Sequence, residues 1–195
     1  IIRHLPQMSG YDVVQVTNPV FFDLRPEKNW AIFKYLKKHN KKIFLDALAI
    51  DHYYVKACLD GKTFRYSDFF VGDRPLPHPE REKMLAAWIG GPNERPNIEM
   101  AQEANGIIAC LYEYYAAYQP EYADKLAYIP IPIDLSINPF HPIKSTPEVV
   151  KFFIGIQQHR TAIKGTDILL DVLREIHDKY PRESHIQKVV SVPFD

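Results

Sequence analysis

The segment Val149–Tyr180 constrains the fold of this chain most strongly, because it joins a buried strand to an amphipathic helix through a charged loop. Val149–Ile154 is a short, mostly apolar run that ends at Gly155, a pattern typical of a buried strand. Apolar side chains then recur at helical spacing on one face, and Pro181 ends that pattern. The residues of this face are Leu169, Val172, Leu173, Ile176 and Tyr180.

The loop between this strand and helix has the composition of an anion-binding site. Arg160 offers a planar fork to a phosphate group, and Lys164 offers a mobile positive charge. Gly165 lets the backbone approach a ligand closely, and Thr166 or Asp167 can cap the helix. Because a helix N-terminus attracts anions, the loop suits a diphosphate. An ordinary turn with two solvated cations remains the alternative.

The N-terminal part of the chain also alternates strands with helices. Tyr11–Thr17 and Lys42–Leu48 are predicted strands, and Asn29–Lys38 is a predicted helix between them. This order implies parallel strands joined by a right-handed crossover. Further strands are predicted at Gly106–Leu111 and Leu126–Ile129, and further helices at Glu80–Ile89, Asn97–Asn105 and Tyr112–Gln119, the last closed by Pro120.

A long stretch, Ala49–Pro96, is predicted to be largely irregular, and such excursions after a strand often carry function. Asp51 and His52 lie just past the second predicted strand. His52 is a candidate site residue, with a histidine held by a local hydrogen bond as the alternative. Asp51 is a candidate for orienting His52 or binding a hydroxyl group, although adjacent side chains on an extended segment point apart.

The balance of charged residues limits the partners that this chain is expected to bind. The 195 residues carry 24 basic and 24 acidic side chains, so no broad nucleic-acid surface is expected. The densest basic cluster is Lys37, Lys38, Lys41 and Lys42, which is interpreted as a solvated helix end, with weak peripheral membrane contact as the alternative.

The two cysteines, Cys58 and Cys110, lack metal or redox spacing, and no carboxylate pair with metal spacing is evident. No signal peptide and no apolar run near the length of a membrane span occurs, so a cytoplasmic protein is expected. Because the first residue is Ile1, the chain is expected to be a fragment, a processed form or an engineered piece.

Common catalytic fingerprints are missing from the sequence. There is no Gly-x-Gly-x-x-Gly motif for a dinucleotide and no Gly-x-Ser-x-Gly elbow for a hydrolase. Lys164-Gly165-Thr166 has the wrong order for a nucleotide-binding P-loop and lacks the upstream glycine. Redox enzymes and common hydrolases are therefore poorly supported.

Two stretches resemble GT-B retaining glycosyltransferases of the glycosyltransferase 4 group. The run from Gly155 through Arg160 to Lys164-Gly165-Thr166-Asp167-Ile168-Leu169-Leu170 resembles the start of the second domain in that family. The run Asp124–Asp134, with its Ile-Pro-Ile-Pro-Ile-Asp ending, resembles the end of the first domain. The family pattern places an arginine directly after the strand glycine, where this chain has Ile156.

This resemblance implies an α/β fold of the Rossmann-like GT-B type. Residues 1–134 would be a partial N-terminal, acceptor-side domain, 135–147 a linker, and 148–195 the first βαβ unit of the nucleotide-sugar-binding domain. The parent protein would be a metal-independent glycosyltransferase without a cofactor, using a nucleotide-sugar donor and a glycan or lipid-linked acceptor in surface polysaccharide or glycoconjugate synthesis.

Roles for individual residues follow from the same resemblance. Arg160 and Lys164 would be catalytic by stabilising the leaving diphosphate, and Gly155, Gly165 and Thr166 would contact the donor. His52 and Asp51 would lie on the acceptor side. The helical tyrosines could stack on a sugar, but packing between the sheet and solvent is the favoured interpretation; they are Tyr112, Tyr114, Tyr115 and Tyr118.

The resemblance covers only part of the family's donor site, and two alternative functions stay open. The family completes its donor site with a Glu-(seven residues)-Glu motif further along the second domain, and this chain ends before it. The piece alone is therefore expected to have little or no transfer activity. A non-catalytic glycosyltransferase-like binding subunit and a generic doubly wound interaction domain remain alternatives.

Overall fold

A computed structural model describes residues 2–71, 74–75, 79–137, 139–142, 145, 147–158, 161 and 164–191. The chain divides into two compact units, Ile1–Pro132 and Ile133–Asp195, and each is treated by itself below. Among the described helices, none combines the length and the apolar character that crossing a membrane requires.

The first unit is a mixed α/β structure built on a parallel sheet. A 3-10 helix at Ile2–Met8 comes first. The strands are β1 (Val13–Val16), β2 (Lys42–Ala47), β3 (Phe70–Val71), β4 (Arg74–Pro75), β5 (Gly106–Ala109) and β6 (Leu126–Tyr128). The helices are α1 (Pro26–His39), α2 (His52–Leu59), α3 (Pro79–Trp88), α4 (Glu94–Glu103) and α5 (Tyr112–Tyr122).

Four of these strands form one sheet in the order β1-β2-β5-β6, and every neighbouring pair is parallel. β3 and β4 pair separately as a short antiparallel hairpin. Because sequential strands lie side by side and are joined through helices, the α/β class expected from the alternating pattern is confirmed.

One face of the main sheet carries the hydrophobic core. Alternate residues of β2, such as Ile43, Leu45 and Ala47, are buried against the helices, as period-two alternation requires. Helix α1 contributes Ile32, Phe33 and Leu36 from one face, and α4 and α5 contribute Met100, Ala101, Ala117, Tyr118 and Tyr122. Because the helices pack against the sheet, the loops that follow the strands have fixed positions at its edge.

Three local predictions were wrong. The segment expected to be irregular contains helix α2, whose start is capped by Asp51. Helix α5 does not end at Pro120 but continues to Tyr122, whose buried ring packs against Tyr53. Gly155 does not end its strand but lies inside it. In the first two cases, tertiary contacts outweigh the local signal.

The second unit is a single βαβ element. β7 (Val150–Ile156) and β8 (Ser184–Val190) pair in parallel and are joined through α6 (Thr166–Lys179). Ile154 and Leu173 are buried between strand and helix, whereas Phe153 is 70% exposed and Ile168 66% exposed. One helix covers one face of two strands, so apolar surface remains open, as expected for a unit of this size.

Replacing Gly106 in β5 by alanine should destabilise the first unit. A Cβ atom at this position would lie 2.6 Å from Cε1 and 2.8 Å from Cδ1 of the Phe44 ring, which packs over the glycine. We expect Gly106→Ala to lower the free energy of unfolding by about 1–3 kcal/mol, measured by urea denaturation, because the ring must shift.

The matched control for this prediction is the double variant Gly106→Ala with Phe44→Leu. Leucine at position 44 is smaller than phenylalanine and makes room for the new methyl group. The double variant should therefore lose less stability than the two single variants lose together. Additive losses, or a Gly106→Ala variant as stable as the parent chain, would contradict the packing.

Candidate functional site

A fully buried carboxylate lies in the first unit where β2 passes into α2. Asp51 has no exposed surface and forms the N-cap of α2. Its Oδ1 accepts a hydrogen bond from the backbone N–H of Tyr54 at 2.8 Å, and its Oδ2 accepts one from the hydroxyl of Tyr118 at 2.7 Å. Burial raises the pKa of Asp51 to about 6, although both hydrogen bonds favour the charged form and lower it.

His52 and Asn97 extend this polar network into two further helices. The backbone N–H of His52 donates to Oδ1 of Asn97 at 2.8 Å, and Nδ2 of Asn97 donates to the Tyr118 hydroxyl at 3.3 Å. The His52 ring donates from Nδ1 to the carbonyl oxygen of Trp88 at 2.9 Å. Both side chains are buried, and the network links α2, α3, α4 and α5.

The network satisfies Asp51 and His52 within the protein itself. Asp51 does not orient the His52 ring, because its two oxygens bind Tyr54 and Tyr118 instead. Neither side chain has free surface to offer an acceptor hydroxyl. The geometry therefore assigns both residues a structural role, which is the alternative given for His52, whereas the resemblance had implied an acceptor-side role for both.

A second candidate site lies in the other unit, where α6 begins. Gly165 is the N-cap residue and adopts a left-handed conformation, with φ of 59°, which glycine tolerates best. In the part of the chain that the structure describes, no side chain caps the helix, and neither Thr166 nor Asp167 takes the capping role predicted for it. Thr166 is instead the first helical residue and is buried.

The start of α6 leaves backbone donors available. The N–H of Thr166 donates to the carbonyl oxygen of Thr161 at 2.9 Å, and that of Leu169 donates to Gly165 at 3.1 Å. Within the described ranges, the N–H groups of Asp167 and Ile168 have no acceptor, as is usual for the first turn of an uncapped helix.

The remaining predicted donor-site residues are placed only in part. Lys164 is exposed and directly precedes the Gly165 cap. Gly155 is exposed in β7, and a Cβ atom there would meet only the Phe153 ring, at 4.0 Å, among the atoms that the structure describes. Arg160 lies outside the described residues, so its predicted contact with a phosphate group stays a prediction.

Other groups singled out in the sequence have ordinary partners. Lys37 forms an ion pair with Glu103, and Lys41 forms one with Asp12. Cys58 and Cys110 are free, buried thiols, and burial raises the pKa of each. Among the described residues, no group of three or more His, Cys, Asp or Glu side chains is arranged to hold a metal ion.

Comparison with known proteins finds no relative of this chain. No family model matches the chain, and neither the curated proteins nor the solved structures that were searched give a match. The geometry therefore stands alone: a parallel α/β unit with a buried polar network, and a βαβ unit with an uncapped helix start beside Lys164.

The Asp51→Asn variant should become more stable relative to the parent chain as pH rises, measured as the free energy of unfolding. Folding raises the pKa of Asp51, so this group stabilises the folded parent chain fully below its pKa in the unfolded chain, near 4. That stabilisation is lost as pH rises through the folded-state pKa of about 6. Over that window, the stability difference should change by roughly 3 kcal/mol. Chemical denaturation of both proteins at a series of pH values measures it.

The control for this experiment is Asp51→Ala, which removes the titrating group and the cap together. It should show the same pH trend but be less stable than Asp51→Asn at every pH, by about 1 kcal/mol, because asparagine caps helices well and alanine does not. A difference between Asp51→Asn and the parent that stays constant from pH 4 to 7 would refute the raised pKa.

Proposed function

We propose that this chain is part of a metal-independent glycosyltransferase of the GT-B type, and that its second unit binds the diphosphate of a nucleotide-sugar donor. The observation that carries the proposal is the start of α6, where the N–H groups of Asp167 and Ile168 have no acceptor among the described residues and the cation Lys164 lies beside them. The sequence resemblance to glycosyltransferases suggests the reaction, and the start of α6 supports a binding site for the departing diphosphate.

The position of this helix start suits a ligand. β7 and β8 are parallel, and α6 follows β7, so the helix begins at the carboxyl end of the strands. In open α/β sheets, ligands bind outside the carboxyl ends of the strands. The partial positive charge of the helix N-terminus adds to the attraction of a phosphate group.

The local charges decide how the anion is held. Asp167 places a carboxylate in the first turn of α6, which opposes an anion, and Lys164 offsets that charge. The attraction therefore comes from several groups together: the N–H groups of Asp167 and Ile168, the helix dipole, the ammonium group of Lys164 and, in the proposal, the guanidinium group of Arg160. Such a site holds a diphosphate by several donors rather than by one strong ion pair.

The proposed chemistry uses these donors at the moment when charge develops. The bond between the anomeric carbon and the diphosphate oxygen breaks, and the electron pair leaves with the diphosphate as a glycan or lipid-linked hydroxyl attacks the same carbon and passes its proton to the departing phosphate oxygen. Donors at the start of α6, with Lys164 and Arg160, stabilise that departing charge, and Gly155 and Gly165 leave room for the donor. No metal ion is required for this stabilisation.

Isothermal titration of the chain with uridine diphosphate and guanosine diphosphate tests the donor site. We expect at least one to bind, and Lys164→Ala to weaken its binding by about tenfold, because charge-assisted hydrogen bonds contribute roughly 1.5–3 kcal/mol in favourable cases. Added salt should weaken binding further, since the contact is partly electrostatic.

The matched control is Lys151→Ala. Lys151 is an exposed lysine of the same unit, but it lies near the amino end of β7, whereas Lys164 follows the carboxyl end. It should leave nucleotide affinity unchanged. The donor-site proposal fails if neither nucleotide binds, or if the two lysine variants lose the same affinity.

A further inference from the structure

A cluster of three tyrosine rings lies at the surface of the first unit, where α5 begins and β6 ends. The rings of Tyr112 and Tyr115 stack with centroids 5.9 Å apart. The ring of Tyr128 meets both edge-on, at 6.2 Å from each. Tyr112 is 66% exposed and Tyr128 is 47% exposed. These three residues are called the tyrosine platform below.

The platform lies at the carboxyl edge of the sheet, where α/β proteins bind their ligands. Helix α5 follows β5, so Tyr112 lies at the carboxyl end of that strand. Tyr128 is the last residue of β6 and pairs with Ala109 of β5. The N–H of Ile129 donates to the carbonyl oxygen of Ala109 at 2.9 Å, which fixes the backbone beside Tyr128.

Packing accounts for the buried tyrosines of α5, whereas two rings of the platform, Tyr112 and Tyr128, are exposed and the third, Tyr115, is partly buried against the core. Tyr118 and Tyr122 are buried, and their hydroxyls bond to Asp51 and Tyr53. In contrast, the hydroxyls of the platform have no hydrogen-bond partner within the described part of the chain. The platform therefore presents apolar ring faces and free polar groups to solvent, and its rings hold one another in place, which lowers the entropy cost of binding.

We infer that the tyrosine platform binds a glycan. A tyrosine ring face accommodates the apolar C–H face of a sugar ring, and its free hydroxyl exchanges hydrogen bonds with sugar hydroxyls. Glu113, exposed in the same first turn, adds a carboxylate that accepts hydrogen bonds from sugar hydroxyls. The same negative charge disfavours a nucleic-acid strand, whose binding depends on cations facing its phosphates.

This inference deepens the proposed function, because it names the surface that holds the sugar acceptor. It stays separately testable, since glycan binding to the first unit requires no nucleotide. Diphosphate binding with no glycan binding would overturn the inference and leave the proposed donor site standing. Glycan binding with no diphosphate binding would support the platform and refute the donor site.

Isothermal titration with maltopentaose, cellopentaose and chitotetraose tests the platform. We expect at least one to bind with a dissociation constant on the order of 1 mM or below. Tyr112→Ala should weaken that binding by about threefold to tenfold, since it removes one stacking face. Tyr112→Phe keeps the ring and deletes the hydroxyl, so it should lose less affinity than Tyr112→Ala.

The matched control is Tyr66→Ala. Tyr66 is 78% exposed and lies outside the platform, with Arg65 as its ring contact. It should leave glycan affinity unchanged, and circular dichroism should show that all variants keep their helical content. The inference is overturned if none of the oligosaccharides binds, if Tyr112→Ala binds as tightly as the parent chain, or if polyuridylate binds the platform instead.

Discussion

The folding of the first unit depends on how it accommodates a carboxylate that has no contact with water. Asp51 caps α2 through the Tyr54 amide and receives the hydroxyl of Tyr118 from α5, while Asn97 of α4 supports that hydroxyl. A buried charge without such partners would cost several kcal/mol. Helices α2 and α5 are therefore held together by the carboxylate of Asp51 as well as by apolar packing.

This network explains why the aromatic side chains of α5 divide into two groups. Tyr118 and Tyr122 point inward, and the hydroxyl of Tyr122 lies 2.5 Å from that of Tyr53. The inward pair fixes the rotation of the helix, so that Tyr112 is left exposed at its first turn beside Tyr128. Tyr115 lies three residues before Tyr118 and seven before Tyr122, on the same helix face, so its partly buried ring connects the core to the exposed rings of Tyr112 and Tyr128.

The parallel sheet was predictable because its strands are continuous apolar runs and its helices have clear spacing. Helix α2 was missed because it has only eight residues and depends on the Asp51 cap and on contacts distant in the chain. Pro120 was misleading for the same reason, since the buried Tyr122 holds the last turn in place. The capping geometry of Asp51 was the one local signal that could have indicated α2.

The sites differ in how far the sequence could predict them. The charged loop before α6 was recognised from its residue types, and the structure adds the left-handed Gly165 at the helix start and two amides without an acceptor among the described residues. For His52, a local hydrogen bond was one of the two interpretations of the sequence, and the structure shows such a bond. The burial of Asp51 could not be foreseen, because it depends on which helices cover the residue. The tyrosine platform needed the strand order, since Tyr112 and Tyr128 are distant in sequence and meet only because β5 and β6 are neighbours.

The central functional claim is that the first turn of α6 holds a diphosphate, and amide chemical shifts report on that turn directly. A titration with inorganic pyrophosphate, followed by proton–nitrogen correlation spectra, should move the amide signals of Asp167 and Ile168 saturably and more than those elsewhere in the unit. Small, non-saturating shifts spread over exposed lysines, with these two amides unmoved, would contradict the claim.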